Sequence, residues 1–270
     1  MLAEMYKRRE KHSRLFLIFT VAVMIGFLIL QTPETLREWW ELLFFLFPVG
    51  LILSIIFISR QQYNKVKDIP ILESEKELFD VTEVVVKKDM ALLPRLLLFE
   101  PSGELIAEVK PIDVDWWMRV LLAANSELIS IFPLTFGFFS QTGEKLITFR
   151  KKGWLKQVEL KIFEGDQRKI GTYIQEELKA FIHIKGELFD ELGNTLLAIK
   201  VSGFSGNFSW SDEEGRQWAS FSKGFFPHEY TELFSDSHNH IVKLSDGLTE
   251  DDKVRLLAVI GYLFMARIKD

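Results

Sequence analysis

Arg150-Lys151-Lys152-Gly153-Trp154-Leu155-Lys156 is a basic run with an aromatic residue inside it. Fixed cations beside an indole suit an anionic lipid surface. Each basic residue close to such a surface is worth about 1 kcal/mol, and Trp favours the water–lipid boundary. Arg150, Lys151, Lys152, Trp154 and Lys156 are therefore the candidate lipid-binding residues. The same run also suits a strand end and a solvated turn, with Gly153 as the breaker. Lys87, Lys88 and Arg95 extend the patch if the fold brings them to it.

Asp236-Ser237-His238-Asn239-His240, with His228 upstream, holds the residue types that bind divalent metals. A strand would put His238 and His240 on one face. The spacing fixes no third ligand, so His228, His238 and His240 do not define a site, and no metal or cofactor is expected. The chain contains no G-x-S-x-G elbow, H-E-x-x-H helix, P-loop or G-x-G-x-x-G. Asp212-Glu213-Glu214-Gly215 has the wrong spacing for a calcium loop and reads as a hairpin turn. No catalytic residue is assigned. The rival reading is an enzyme whose site is assembled from scattered residues such as His183, His228 and His240.

These residues need elements to position them. The chain has 270 residues, 24 Phe and 7 Trp, enough apolar material for a core and for membrane segments. The net charge of −5 gives no global basic field, so nucleic acid is not an expected partner. Cysteine is absent, which excludes disulfides, thiolate metal sites and a Cys nucleophile.

The N-terminal part carries a basic cluster, Lys7, Arg8, Arg9, Lys11 and Arg14, and then an apolar run from Leu15 to Leu30. A connector, Gln31 to Glu41, leads to a second run, Leu42 to Ser59, closed by Arg60. Each run is about long enough to span a bilayer. A second run follows at once and no A-x-A-like cleavage site intervenes, so a two-helix hairpin is expected rather than a signal peptide. The spans are placed at about residues 15–31 and 42–59 within an anchor of residues 1–60. Basic residues flank both outer ends, while the connector holds Arg37 among Glu34, Glu38 and Glu41. The positive-inside rule then puts both termini in the cytoplasm. Ala22-x-x-x-Gly26 is a small-residue pair at which two helices could approach.

Residues 61–80 are polar and read as a linker. Beyond it one unit recurs: Phe99-Glu100-Pro101-Ser102-Gly103, Phe139-Ser140-Gln141-Thr142-Gly143, Phe189-Asp190-Glu191-Leu192-Gly193 and Ser211-Asp212-Glu213-Glu214-Gly215. Ile162 to Gly171 is a degenerate fifth copy. Each is a strand, a polar turn with Gly at positive φ, and a strand. Roughly a dozen short strands result, at the spacing of a barrel or sandwich. Asp115 to Asn125 interrupts them as a short helix or insert. Residues 250–268 form a helix that is apolar all round and must be enclosed. Thr249 and Asp252 make its N-terminal capping box. The fold expected is mainly β. Residues 81–270 are expected to wrap a sheet of roughly a dozen strands, as a barrel or sandwich, around the C-terminal α-helix, after a transmembrane α-helical hairpin.

The repeated hairpins and terminal helix resemble the tubby C-terminal-like superfamily, which includes phospholipid scramblases and plant LURP-one-related proteins. The segment from Phe138 to Gly171 carries the resemblance most clearly. It implies that residues 81–270 are a roughly twelve-stranded closed β-barrel around a central C-terminal α-helix, with a link to phospholipid contact. Scramblases carry no pair of spans before the domain, so scrambling itself is not carried over to this chain. The expected function is a membrane-anchored, cytoplasm-facing, non-enzymatic module contacting anionic phospholipid headgroups, at a bacterial plasma membrane. A regulatory scaffold that binds another protein through the barrel surface is the alternative.

Overall fold

The computed structural model describes residues 2–30, 35–69, 72, 74–90, 93–124, 126–153, 157–176, 183–202, 208–224, 234 and 239–267. The chain divides into two compact units, Met1–Pro70 and Ile71–Asp270.

The first unit is two helices packed on each other, α1 (Leu2–Leu30) and α2 (Leu36–Val66). Both are long and apolar enough to cross a membrane, the second over Leu46–Val66. Leu15, Phe16, Ile18 and Phe19 on α1 and Leu51, Leu53 and Phe57 on α2 are exposed. Lipid would match such a surface; water would not. Two hydroxyls deep within the apolar runs are satisfied locally. Thr20 Oγ1 donates to the Phe16 carbonyl and Ser54 Oγ to the Gly50 carbonyl, both at 2.9 Å. A polar group in hydrocarbon requires this. A Cβ added at Gly26 would meet nothing within 4 Å, so no other part of the described chain packs closely on that glycine. The helices are longer than the apolar runs that announced them. The expected linker at residues 61–80 begins as helix, because Gln61 to Val66 hold no breaker and extend α2.

In the second unit the strands are β1 (Glu83–Met90), β2 (Pro94–Phe99), β3 (Leu105–Ile112) and β4 (Thr135–Ser140). There follow β5 (Lys145–Lys152), β6 (Gln157–Glu164), β7 (Arg168–Glu176) and β8 (His183–Phe189). The last are β9 (Thr195–Ser202), β10 (Phe208–Ser211), β11 (Gln217–Gly224) and β12 (Asn239–Leu244). Between β3 and β4 lie α3 (Trp116–Ala124) and a 3₁₀ turn, Ser126–Ser130. All twelve strands join one antiparallel sheet in the order β10-β11-β12-β1-β2-β3-β4-β5-β6-β7-β8-β9. The outer strands β9 and β10 approach each other, and the sheet is a nearly closed barrel.

The repeated unit is the hairpin that turns at one end of this barrel. In four of the hairpins the first turn residue's N–H bonds to the carbonyl four residues on: Glu100 to Glu104, Ser140 to Glu144, Asp190 to Asn194 and Asp212 to Arg216. Short side-chain oxygens reinforce three of them. Asp190 Oδ1 accepts from the N–H of Leu192 and Asn194, Asp212 Oδ1 from Glu214 and Arg216, and Ser140 Oγ from Glu144. Gly103, Gly143, Gly193 and Gly215 all have positive φ, which the turn demands. A register shift falls just before each turn, as a bulge at the hairpin end produces. The fifth copy departs as its sequence does: Gly165 N–H bonds across to Leu146 O.

The helix α4 (Glu250–Arg267) runs through the barrel. Val254 and Leu256 to Met265 are all buried, with strands around them. Thr249 caps its first turn as expected, Oγ1 accepting from Asp252 N–H at 3.2 Å, while the Asp252 side chain departs from a full capping box by accepting from the Thr249 hydroxyl at 2.8 Å. Arg255 Nε donates to the Ile170 carbonyl at 2.7 Å and Nη1 to Asp252 at 2.8 Å, tying this end to β7. Gly261 lets the helix approach the sheet, since a Cβ there would sit 2.9 Å from the Phe138 ring. Near the far end, Lys88 Nζ donates to the Met265 carbonyl at 3.2 Å. That places a cation where the helix dipole is negative and a backbone acceptor lacks a helical partner.

Candidate functional site

Strand alternation divides the basic run. On β5, Ile147, Phe149 and Lys151 face the core, and Arg150 and Lys152 face out. Lys151 is 2% exposed and its ammonium donates to the Phe132 carbonyl at 3.0 Å and the Gly153 carbonyl at 3.4 Å. The expected five-residue surface is thus corrected at Lys151. Burial inside the barrel end removes it from any headgroup, and its charge is used to hold the β3–β4 connection. Trp154 and Lys156 lie outside the described residues. Gly153, at φ 82°, makes the sharp exit from β5, where a Cβ would meet Gln157 O at 2.1 Å.

Arg150 and Lys152 are exposed on the outer face. The Arg150 guanidinium lies 4.7 Å from the Phe163 ring centroid, a cation–π contact that holds it along the sheet surface. Register adds a residue that linear reading missed: Lys161 of β6 pairs with Arg150, and Glu159 with Lys152. Lys161 Nζ lies 3.9 Å from Glu159. Three cations and one carboxylate therefore share this face. Lys161 is 11 positions away from Arg150 in the chain, and the signal for it was the alternation Glu159, Lys161, Phe163 once β6 was set beside β5.

The other basic residues serve elsewhere. Lys88 caps α4, and Lys87 is buried with its ammonium 5.8 Å from the Phe234 ring centroid. Arg95 bridges Asp89 at 2.7 Å and Glu108 at 2.9 Å. Burial lowers its affinity for the proton, but these two carboxylates outweigh that and raise it. None of the three joins Arg150 and Lys152. Of the metal candidates, His228 and His238 lie outside the described residues. His240 is buried and its ring meets Phe264 of α4 edge-on at 5.3 Å, which turns it into the barrel. His183 opens β8. Among the described residues no cluster of three metal-ligating side chains occurs.

The β3–β4 connection that Lys151 holds also carries α3. Met118 and Leu122 anchor it to the core, and Asp115 holds its N-cap position. Trp116 is 78% exposed, Val120 61%, Trp117 43% and Leu121 38%. These residues are spaced i, i+1, i+4 and i+5 and so form one continuous stripe. Trp117 packs edge-on against Phe132, whose carbonyl is the acceptor for Lys151, while Arg150 pairs with Thr135 at the start of β4. The stripe and the outward cations are therefore on the same rim, at the barrel end opposite the acidic hairpins. Chemically the rim offers fixed positive charge beside an exposed aromatic and aliphatic surface. No protein-family model, characterised protein or solved structure matches the chain.

Proposed function

We propose that the chain is a membrane-anchored, non-enzymatic binding module whose barrel contacts anionic phospholipid headgroups through Arg150 and Lys152. The observation that carries this is their joint exposure on a barrel that shares its chain with two helices able to cross a membrane. The basic residues before Leu15 and after Ser59 favour a cytoplasmic location for both termini. A bacterial plasma membrane suits this topology, and the barrel around α4 is the architecture that kinship with tubby-like proteins implies. Two cations near an anionic surface contribute about 2 kcal/mol, roughly a 30-fold gain in partitioning.

Flotation of residues 71–270 with liposomes tests the reading. The core cluster lies wholly within this segment, from Leu78 to Met265. Binding that requires acidic lipid and weakens with salt is expected. Absence of binding at low salt, in protein that melts cooperatively, would overturn the reading in favour of a scaffold that binds another protein.

A further inference from the structure

We infer that α3 is an interfacial helix that seats its exposed stripe in the headgroup region of the bilayer in which the chain is anchored. This rests on the lipid reading above and names the surface that performs it. Trp116, Trp117, Val120 and Leu121 face solvent although Met118 and Leu122 already satisfy the packing of the helix on the barrel. Such a face on a folded domain marks a contact surface.

Three observations select a bilayer as its occupant. First, the chain carries two helices apolar enough to span, so a bilayer lies within reach of the barrel's tether. Second, Arg150 and Lys152 are exposed at the same barrel end as the stripe, and a lipid surface that is anionic at the headgroups and apolar just below matches both parts. Indole rings have the same division, with an apolar body and a polar N–H, and concentrate at that depth. Third, the stripe is small. A stable contact between folded proteins engages about 20–30 residues a side, far more than one nine-residue helix presents. A bilayer sets no such minimum. The helix is also held in its helical form by Met118 and Leu122, so no ordering cost accompanies insertion.

The absence of cysteine permits a clean test on the full chain in nanodiscs. Val120→Cys, labelled with an environment-sensitive fluorophore, reports the stripe. Leu192→Cys, in an 83% exposed hairpin turn at the opposite barrel end, is the reference. With phosphatidylglycerol present, spin-labelled lipid should cut emission from position 120 by about half or more while aqueous iodide fails to reach it. Position 192 should show the reverse. Iodide access at 120 with no quenching by lipid overturns the inference. So does shielding from iodide without lipid quenching, since a second copy or another protein then covers the face. Nanodiscs of phosphatidylcholine alone separate the two claims. Quenching at 120 that persists there supports the α3 inference and removes the need for Arg150 and Lys152. Acid-lipid-dependent flotation with no quenching at 120 sinks the α3 inference and leaves the headgroup reading standing.

Discussion

Replacing Lys151 separates two roles that a run of basic residues can play. If Lys151 is a lipid ligand, Lys151→Ala weakens binding and leaves stability alone. Its burial and its bonds to the Phe132 and Gly153 carbonyls predict the opposite. The substitution deletes three buried methylenes at about 0.8 kcal/mol each, roughly 2.4 kcal/mol. Loss of a charged donor adds about 1.5–3 kcal/mol. The total is about 4–5 kcal/mol, which for a domain of this size lowers the melting temperature by about 8–20 °C. Lys151→Met keeps the volume and should cost about 1.5–3 kcal/mol, the hydrogen-bond part alone. Urea unfolding of residues 71–270 measures both. A Lys151→Ala domain within about 1 kcal/mol of wild type would refute the inward placement and its use as a clamp on the β3–β4 connection.

Other expectations follow from the same geometry. Gly261→Leu forces a side chain into the Phe138 and Phe149 rings and should destabilise the domain by at least about 1–3 kcal/mol, read by denaturant midpoint. Deleting the chain from Thr249 removes α4 from the barrel and should abolish the cooperative melt; a sharp melt with a native-like β signal would contradict its role as core. The turns predict an acid limb. Hydrogen bonds from Lys145 and Thr148 hold the Asp166 carboxyl below the usual aspartate range, and those from Asn194 do the same for Asp190. Bonds from Trp218 and Arg216 likewise hold Asp212 low. A carboxyl whose folded pKa is depressed stabilises above its unfolded value, about 4, and loses that contribution as pH falls through the folded value. Stability should therefore fall on acidification below about pH 4, and Asp212→Asn should flatten that fall. An unchanged acid slope in Asp212→Asn would exclude Asp212 as a contributor.

What was legible in the sequence follows from how local each determinant is. The four regular hairpins could be read because a tight turn needs a glycine at positive φ and a short acceptor a few residues before it. Both are adjacent in the chain, as at Asp190 and Gly193. The terminal helix was legible because an all-round apolar stretch with a capping residue has few other uses. The basic surface was half legible. Ile147 and Phe149 set the parity that turns Lys151 inward, a period-two signal that consecutive cations mask. Lys161 depends on β5–β6 register, and the neighbourhood of α3 and β5 depends on Phe132 and Thr135, which are contacts across the fold. The meeting of β1 with β12, which brings His240 opposite Val86, is likewise a property of barrel closure that no short window carries.

The account turns on whether the outward cations of β5 meet anionic lipid. The direct measurement is a salt titration of liposome flotation for residues 71–270, comparing wild type with Arg150→Ala/Lys152→Ala. Because both side chains are exposed, the double variant should keep its melt. It should bind acidic vesicles about 30-fold more weakly at low salt, with the difference shrinking as salt rises. Equal binding by the two proteins at every salt concentration would contradict the account.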